Sequence, residues 1–202
     1  MRPLTILLIV HLLAMFAFAQ QKPSGQPSND RQDLSSLVYS EGGAFFVDPP
    51  NGWVVDREVG KQLGGCCVFY PQGSTWDNAE TVMYPNIVTK RQGQQSMAEF
   101  MKSDLDECRK HDPGMAWEDG EDVPLRNNRV AKMRLFYGVN GGSFEAVAYI
   151  NEEKIIALVV LSSKTRKGLN QSMPLLRSAL ETYTYMDVRK SEKTAPIQPP
   201  KD

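Results

Sequence analysis

The stretch Lys154-Ile155-Ile156-Ala157-Leu158-Val159-Val160-Leu161-Ser162 decides the fold of this chain. Apolar residues fill every position from 155 to 161, so the segment has no alternation between an apolar and a polar face. It is too short to span a membrane, and it is rich in β-branched residues. Such a run predicts a strand that is buried on both faces, in the middle of a sheet with helices above and below it.

Two segments predict the helices that cover this strand. Ser96 is a typical N-cap residue, and Glu99 three residues later completes a capping box, so we expect a helix over residues 96–110. Residues 169–183 carry an apolar stripe at helical spacing, which predicts a second, amphipathic helix near the end of the chain.

Two prolines constrain the predicted elements. Pro174 falls inside the second apolar stripe, and because proline suits the first turn of a helix, we expect the regular helix to begin near Ser172. Pro85 falls inside a predicted strand over residues 81–90. Because proline cannot donate a hydrogen bond to a neighbouring strand, we expect an edge position or a bulge there.

The remaining strands are expected on both sides of the first helix. They are residues 44–47, 53–56, 66–70 and 81–90 before it, and 116–123, 130–139 and 143–150 after it. The last two and the strand over 155–161 follow one another through tight turns, which predicts an antiparallel meander. The predicted fold class is α+β: a central antiparallel sheet with helices on both faces, an α/β/α sandwich.

Residues 1–19 have the pattern of a secretory signal peptide. Arg2 supplies a positive charge, residues 4–18 form an apolar run, and Ala17-Phe18-Ala19 is a small-x-small cleavage site that leaves Gln20 as the first mature residue. No cysteine sits at the cleavage site itself, so no lipid anchor is expected. We predict an exported protein, secreted or periplasmic, that does not span a membrane after cleavage.

The mature chain is expected to hold one domain. Residues 20–36 and 189–202 are polar and rich in proline, serine or glutamine, which predicts a disordered leader and a disordered tail. Residues 37–188 then form a single α/β/α domain, long enough for its own core. We expect a monomer.

The motif Phe45-x-Val47-x-x-Pro50-x-Gly52-Trp53 resembles the opening of the PsbP / DcrB-like superfamily of small exported α/β/α sandwich domains. The later elements agree in order, so the resemblance covers about residues 40–187. It implies a PsbP-like fold. It also implies a binding or assembly role, because members of the superfamily are mostly not enzymes. They share no active site residue by residue, so none is carried over to this chain.

Composition argues against several classes of function. The formal net charge is −1, or about −2 without Arg2, which gives no electrostatic basis for binding nucleic acid. His111 is the one histidine after the signal segment, and its place at a predicted helix end suits a structural role. The sequence has no spaced Cys and His pairs of the kind that bind zinc, and it has no glycine-rich phosphate loop. The sequence therefore predicts no catalytic residue, no metal site and no cofactor.

Three cysteines leave the thiol chemistry open. Cys66 and Cys67 are adjacent in a predicted strand and should point to opposite faces, so one of them can reach Cys108 on the apolar face of the predicted helix. Such a disulfide closes a loop of about 40 residues, worth about 4 kcal/mol in the chain-entropy model. The alternatives are three buried free thiols and a strained bridge within the adjacent pair.

Two aromatic residues and three basic ones are candidates for a binding surface. Trp76 lies in a polar loop, where it either packs onto the core or lines a cleft against the sheet together with Tyr84. Arg129, Lys132 and Arg134 form a basic strip, which we interpret first as a solvated sheet edge and second as a site for an anionic partner.

The sequence favours a non-enzymatic exported module of the cell envelope that binds a partner protein, an envelope component or an apolar ligand. One alternative is a hydrolase or thiol enzyme that uses Cys66 or Cys67, next to Gly64-Gly65. The other is a periplasmic protein that binds a ligand or a metal. The sequence does not identify the partner.

Overall fold

The computed structural model describes residues 36–90 and 96–187. In chain order, the elements within these residues are β1 (Ser36–Ser40), β2 (Gly43–Val47), β3 (Trp53–Asp56), α1 (Arg57–Gln62), β4 (Val68–Pro71), β5 (Thr81–Thr89), α2 (Met97–His111), β6 (Ala116–Asp119), β7 (Val123–Pro124), β8 (Val130–Val139), β9 (Ser143–Asn151), β10 (Ile155–Ser163), α3 (Arg166–Glu181) and β11 (Thr184–Met186). The predicted signal peptide, the leader up to residue 35 and the tail lie outside the described residues. Ser36, expected to end the leader, instead begins β1 and donates a hydrogen bond to the Val47 carbonyl (2.8 Å).

The large sheet is built around β10, as predicted. Its strands are antiparallel and follow the order β3-β4-β5-β10-β9-β8-β6, with β7 also paired to β8. Every residue of β10 is buried, and β10 lies between β5 and β9 along its length. The meander β8-β9-β10 is confirmed.

Helices cover both faces of this sheet, which confirms the α/β/α sandwich. On the α2 face, Val160 of β10 packs in one cluster with Phe100 and Leu105 of α2. On the α3 face, Leu161 packs in a larger cluster with Leu176. None of the helices in the described part of the chain is long and apolar enough to cross a membrane.

A second, three-stranded sheet shares the α3 face with α3. Its order is β1-β2-β11, and it contributes Val38, Phe45 and Val47 to the larger cluster. The sequence predicts β2, but β11 is only three residues long and carries no periodicity of its own. This sheet forms through pairing between the two ends of the described chain.

The start of α2 confirms the predicted capping box. The Ser96 hydroxyl accepts a hydrogen bond from the Glu99 backbone N–H (3.2 Å), and the Glu99 carboxylate accepts one from the Ser96 N–H (2.9 Å). The helix ends at His111, whose Nε2 lies 3.2 Å from the Glu107 carboxylate.

The predicted start of the last helix near Ser172 is wrong. α3 begins at Arg166 after the N-cap Thr165, whose hydroxyl accepts a hydrogen bond from the Gly168 N–H (3.0 Å). Pro174 therefore lies inside the helix, where proline costs about 3 kcal/mol. The apolar stripe on α3, which starts at the fully buried Leu169, offsets this cost by packing on the sheet.

Pro85 occupies a locally open edge of β5. β5 pairs with β10 at all nine of its residues, but the ladder to β4 joins only Met83 and Phe69. Beyond that point β5 has no ladder partner on this side among the described residues, so the missing N–H of Pro85 is tolerated. The same opening forms a notch in the sheet.

Candidate functional site

A pocket fills this notch on the α2 face of the sheet. Its floor comes from β5, β9 and β10, and its sides come from α1, from the chain before β4 and from the loop that holds Trp76. The space between its walls is about 650 Å³, open solvent at the mouth included. The centre of a water molecule can move through about 70 Å³ of it. The pocket thus suits a small ligand.

Two aromatic rings, those of Trp76 and Tyr84, form one wall. They meet edge to face, with ring centroids 6.2 Å apart and planes at 66°. The loop that holds Trp76 is fixed locally: Asn78 Oδ1 accepts a hydrogen bond from the Thr75 N–H (2.7 Å), and the Ala79 N–H donates to the Thr75 carbonyl (2.9 Å). The structure therefore brings the two predicted residues together, and their role in binding stays a prediction.

Glu145 is the acidic group of the pocket, and the sequence analysis missed it. It lies on β9 opposite Ser162 of β10, and its side chain is 5% exposed. Asn140 Nδ2 donates a hydrogen bond to its carboxyl group (3.2 Å). The pKa of Glu145 is raised to about 7, chiefly by burial and also by Asp104 and Asp112, while hydrogen bonds from Ser162 and Asn140 oppose the rise.

A smaller cavity continues from the pocket under α2, and Glu145 and Tyr84 line both. Asp104 of α2 lies on its far side and accepts a hydrogen bond from the Tyr149 hydroxyl (2.5 Å). Burial raises the pKa of Asp104, and it raises that of Cys108, in the same cavity, to about 12. The sandwich thus holds a polar, acidic interior between α2 and the sheet.

The predicted solvated basic strip is wrong for Arg134. β8 turns this residue toward α2, where it is 7% exposed. Its guanidinium donates to the Asp119 carboxylate (2.9 Å) and to the Met101 carbonyl (2.8 Å), and Cζ lies 4.5 Å from the centre of the Trp117 ring. Arg134 is therefore a buried anchor between β8, β6 and α2.

The other two residues of the strip are paired with acids, of which Glu152 is buried. Arg129 lies 2.9 Å from the Glu152 carboxylate, and Lys132 lies 2.5 Å from that of Asp122. These contacts neutralise the strip, so the structure gives no support to a site for an anionic partner there.

Cys66 and Cys67 differ from the sequence prediction in conformation and in neighbours. They lie in a bend before β4, which begins at Val68, so they do not alternate across a strand. Their Sγ atoms are 3.1 Å apart, and both residues pack with the larger cluster. Gly60 of α1 lies against the backbone of this bend, and the lack of a side chain there allows the close approach.

All three cysteines are free thiols in the structure. The predicted bridge to Cys108 is not formed, because Cys108 packs with the cluster under α2 while the adjacent pair packs with the other cluster. The contact between the two thiols raises the pKa of Cys66 and lowers that of Cys67. Arg57 also lowers the pKa of Cys67, which lines the pocket.

Other candidate groups lie away from the pocket. His111 at the end of α2 is not among the residues that line it. Among the described residues, no group of three or more His, Cys, Asp or Glu side chains is arranged to hold a metal ion.

Comparison with known proteins finds similarity to solved structures that include Mog1 and a PsbP protein. The Ran-binding protein Mog1p of Saccharomyces cerevisiae is 12% identical, with 77% of this chain and 97% of Mog1p covered and a TM-score of 0.46. A mutant of Mog1 gives 13% identity, 77% and 98% coverage and the same TM-score.

PsbP (CyanoP) from Synechocystis gives 13% identity, with 78% of this chain and 97% of CyanoP covered and a TM-score of 0.44. No protein-family profile and no curated protein matches the chain. The chain is thus similar to a PsbP protein among the solved structures, and no function is carried over from this similarity.

Proposed function

We propose that this protein is an exported, non-enzymatic binding module of the cell envelope and that the pocket walled by Trp76 and Tyr84 is its ligand site. The signal-like pattern of residues 1–19 supports export. The observation that carries the binding role is the pocket itself. It joins aromatic and aliphatic walls to a few buried polar groups, which is the usual composition of a small-molecule site.

The polar groups of the pocket support binding rather than catalysis. Glu145 is the one carboxylate among the described lining residues, and its direct partners are the neutral side chains of Asn140 and Ser162. Among the described lining residues, no second carboxylate, His, Lys or Arg stands beside Glu145 to share acid–base work with it. A pocket with one acid and neutral neighbours can orient a ligand.

Replacing Trp76 with alanine is expected to weaken ligand binding about tenfold, because the ring supplies one wall of the pocket. The test is an NMR titration of the protein with indole, benzoate, benzylamine and choline as separate probes. At least one probe should shift the backbone amide signals of Tyr84 and Glu145 in the wild type.

The matched control for this prediction is Tyr39→Ala, since Tyr39 is a 72% exposed aromatic residue on β1. Its loss should leave every titration unchanged. If none of the four probes shifts the pocket signals, or if the Trp76 variant binds as well as the wild type, the pocket is not the ligand site.

A second candidate function, thiol–disulfide exchange, is favoured by the contact between Cys66 and Cys67. The Cys67 thiolate would attack one sulfur of a small organic disulfide and release one thiol. The Cys66 thiolate would then attack Cys67 Sγ and displace the second thiol. The protein would end with one bond between Cys66 and Cys67, and the oxidant would take up the two electrons and two protons.

Treatment with oxidised glutathione is expected to remove two of the three titratable thiols and to lower the protein mass by two hydrogens. The reason is that the two Sγ atoms already lie 3.1 Å apart. Mass spectrometry and a thiol assay in denaturant measure this. Cys108→Ser should react in the same way, whereas Cys66→Ser should retain one glutathione as a mixed disulfide. Three thiols that stay titratable would exclude this candidate.

A further inference from the structure

The charged groups that shift the pKa of Glu145 all have one sign. Glu145 is buried, and the ionisable groups that raise its pKa, Asp104 and Asp112, are both acidic. The described residues that line the pocket include no Lys, Arg or His. Arg134, a buried cation on β8, already binds Asp119 and a backbone carbonyl. An ionised Glu145 therefore has no counter-charge in the pocket wall.

The walls beside this carboxyl group suit a cation of low polarity. Aromatic faces attract cations within about 6 Å of the ring centre, and Trp76 and Tyr84 both line the pocket. A buried carboxylate is costly unless it is paired, so a cation that enters gains an ion pair in a place from which water is removed. These two features occur together in one small cavity.

We infer that the pocket is selective for a small, free organic cation of the amine or quaternary ammonium class. This inference rests on the proposed function of the pocket and names its ligand class. The space between the walls of the pocket is about 650 Å³ with its open mouth, which admits a group the size of trimethylammonium. A lipid headgroup would bring a phosphate toward Glu145 and Asp112, which repel it, so a free cation is favoured.

Protonation of Glu145 should be linked to binding of the cation. The titratable groups that face it are Asp104 and Cys108 from α2, Asp112 after that helix, and Tyr84 from β5. Since burial raises the pKa of Glu145 to about 7, the group is about half protonated at pH 7. A bound cation favours the ionised form, so binding at that pH should release about half a proton.

The test is calorimetry of the full protein with choline and with its neutral isostere, in which a tert-butyl group replaces trimethylammonium. At pH 8, choline should bind at least about tenfold more tightly than the isostere. At pH 7, titrations in two buffers of different ionisation enthalpy should show that protons are released when choline binds and that none are released when the isostere binds. Phosphocholine should bind more weakly than choline.

Two glutamate variants separate the carboxylate from a general effect of charge. Glu145→Gln should lose most of the preference for choline over the isostere and should release no proton. Glu153→Gln should behave as the wild type, because Glu153 is exposed and follows the far end of β9, about 20 Å from Glu145 along the strand.

Each outcome decides the inference. If the neutral isostere or indole binds as tightly as choline, the pocket is a ligand site but not one for cations, so the inference is wrong while the proposed function stands. If phosphocholine binds more tightly than choline, the ligand is a lipid headgroup, and the inference that it is a free cation is wrong. If no probe binds, both the inference and the proposed function fail.

Discussion

Gly60→Ala is expected to destabilise the protein by about 3 kcal/mol, although alanine normally stabilises a helix relative to glycine by up to about 1 kcal/mol. An added Cβ at this position of α1 would lie 2.4 Å from Cys67 Cα and 2.5 Å from Cys67 N. Both are backbone atoms, so no side chain can rotate away. Either α1 or the bend before β4 must move.

The matched control is Gly114→Ala, in the turn after α2. A Cβ there meets no atom within 4 Å, and the residue does not have a positive φ. Urea unfolding followed by tryptophan fluorescence should show a change below about 0.5 kcal/mol for this variant. If Gly60→Ala proves as stable as Gly114→Ala, then α1 does not pack against the bend as described.

Gly60→Ala also tests how the pocket is built. Gly60 and Cys67 both line it, so a displaced bend should weaken ligand binding in any molecules that remain folded. The contact between Cys66 and Cys67 depends on the same packing, and oxidation of the pair should slow in this variant.

Glu145→Gln is expected to remove most of the loss of stability that the wild type undergoes between pH 5 and pH 8. In the unfolded chain Glu145 ionises above its ordinary pKa of 4.5, whereas in the folded protein burial raises the pKa to about 7. The folded state therefore holds a proton that the unfolded state has lost. Stability falls as pH rises from about 4.5 to about 7, and it changes no further above that.

The size of this effect follows from the two pKa values. Their difference corresponds to about 3 kcal/mol in total, of which about 2.5 kcal/mol falls between pH 5 and pH 8. Urea unfolding at both pH values measures it. Burial also raises the pKa of Asp104. This group is present in both proteins, so its contribution largely cancels when the pH dependence of the variant is compared with that of the wild type.

Glu153→Gln is again the control, and its stability should change with pH as that of the wild type does. If Glu145→Gln loses as much stability as the wild type between pH 5 and pH 8, then the carboxyl group is solvated and the pocket is not closed around it. A buried acid that lowers stability at neutral pH is a feature that binding sites retain for function.

The candidate site was predictable only in part. Trp76 and Tyr84 could be named because a tryptophan in a polar loop is unusual by itself. Glu145 gave a weaker signal: it is the one charged residue within residues 143–150, a strand that is otherwise largely apolar. Its partner Asn140 lies in a turn and Ser162 at the end of another strand, and only the sheet register brings them together.

The sequence by itself determined the elements whose signal is local. β10 was recognisable because a strand buried on both faces needs an unbroken apolar run, and α2 because a capping box joins residues three apart. Tertiary structure decided what depends on residues far apart in the chain. The small sheet pairs β2 with β11, α1 packs its glycine onto the bend at Cys66 and Cys67, and Glu145 is buried by groups from three separate segments. The periodicity of apolar residues in the sequence cannot predict such contacts, because each contact forms only when the completed sheet brings the segments together.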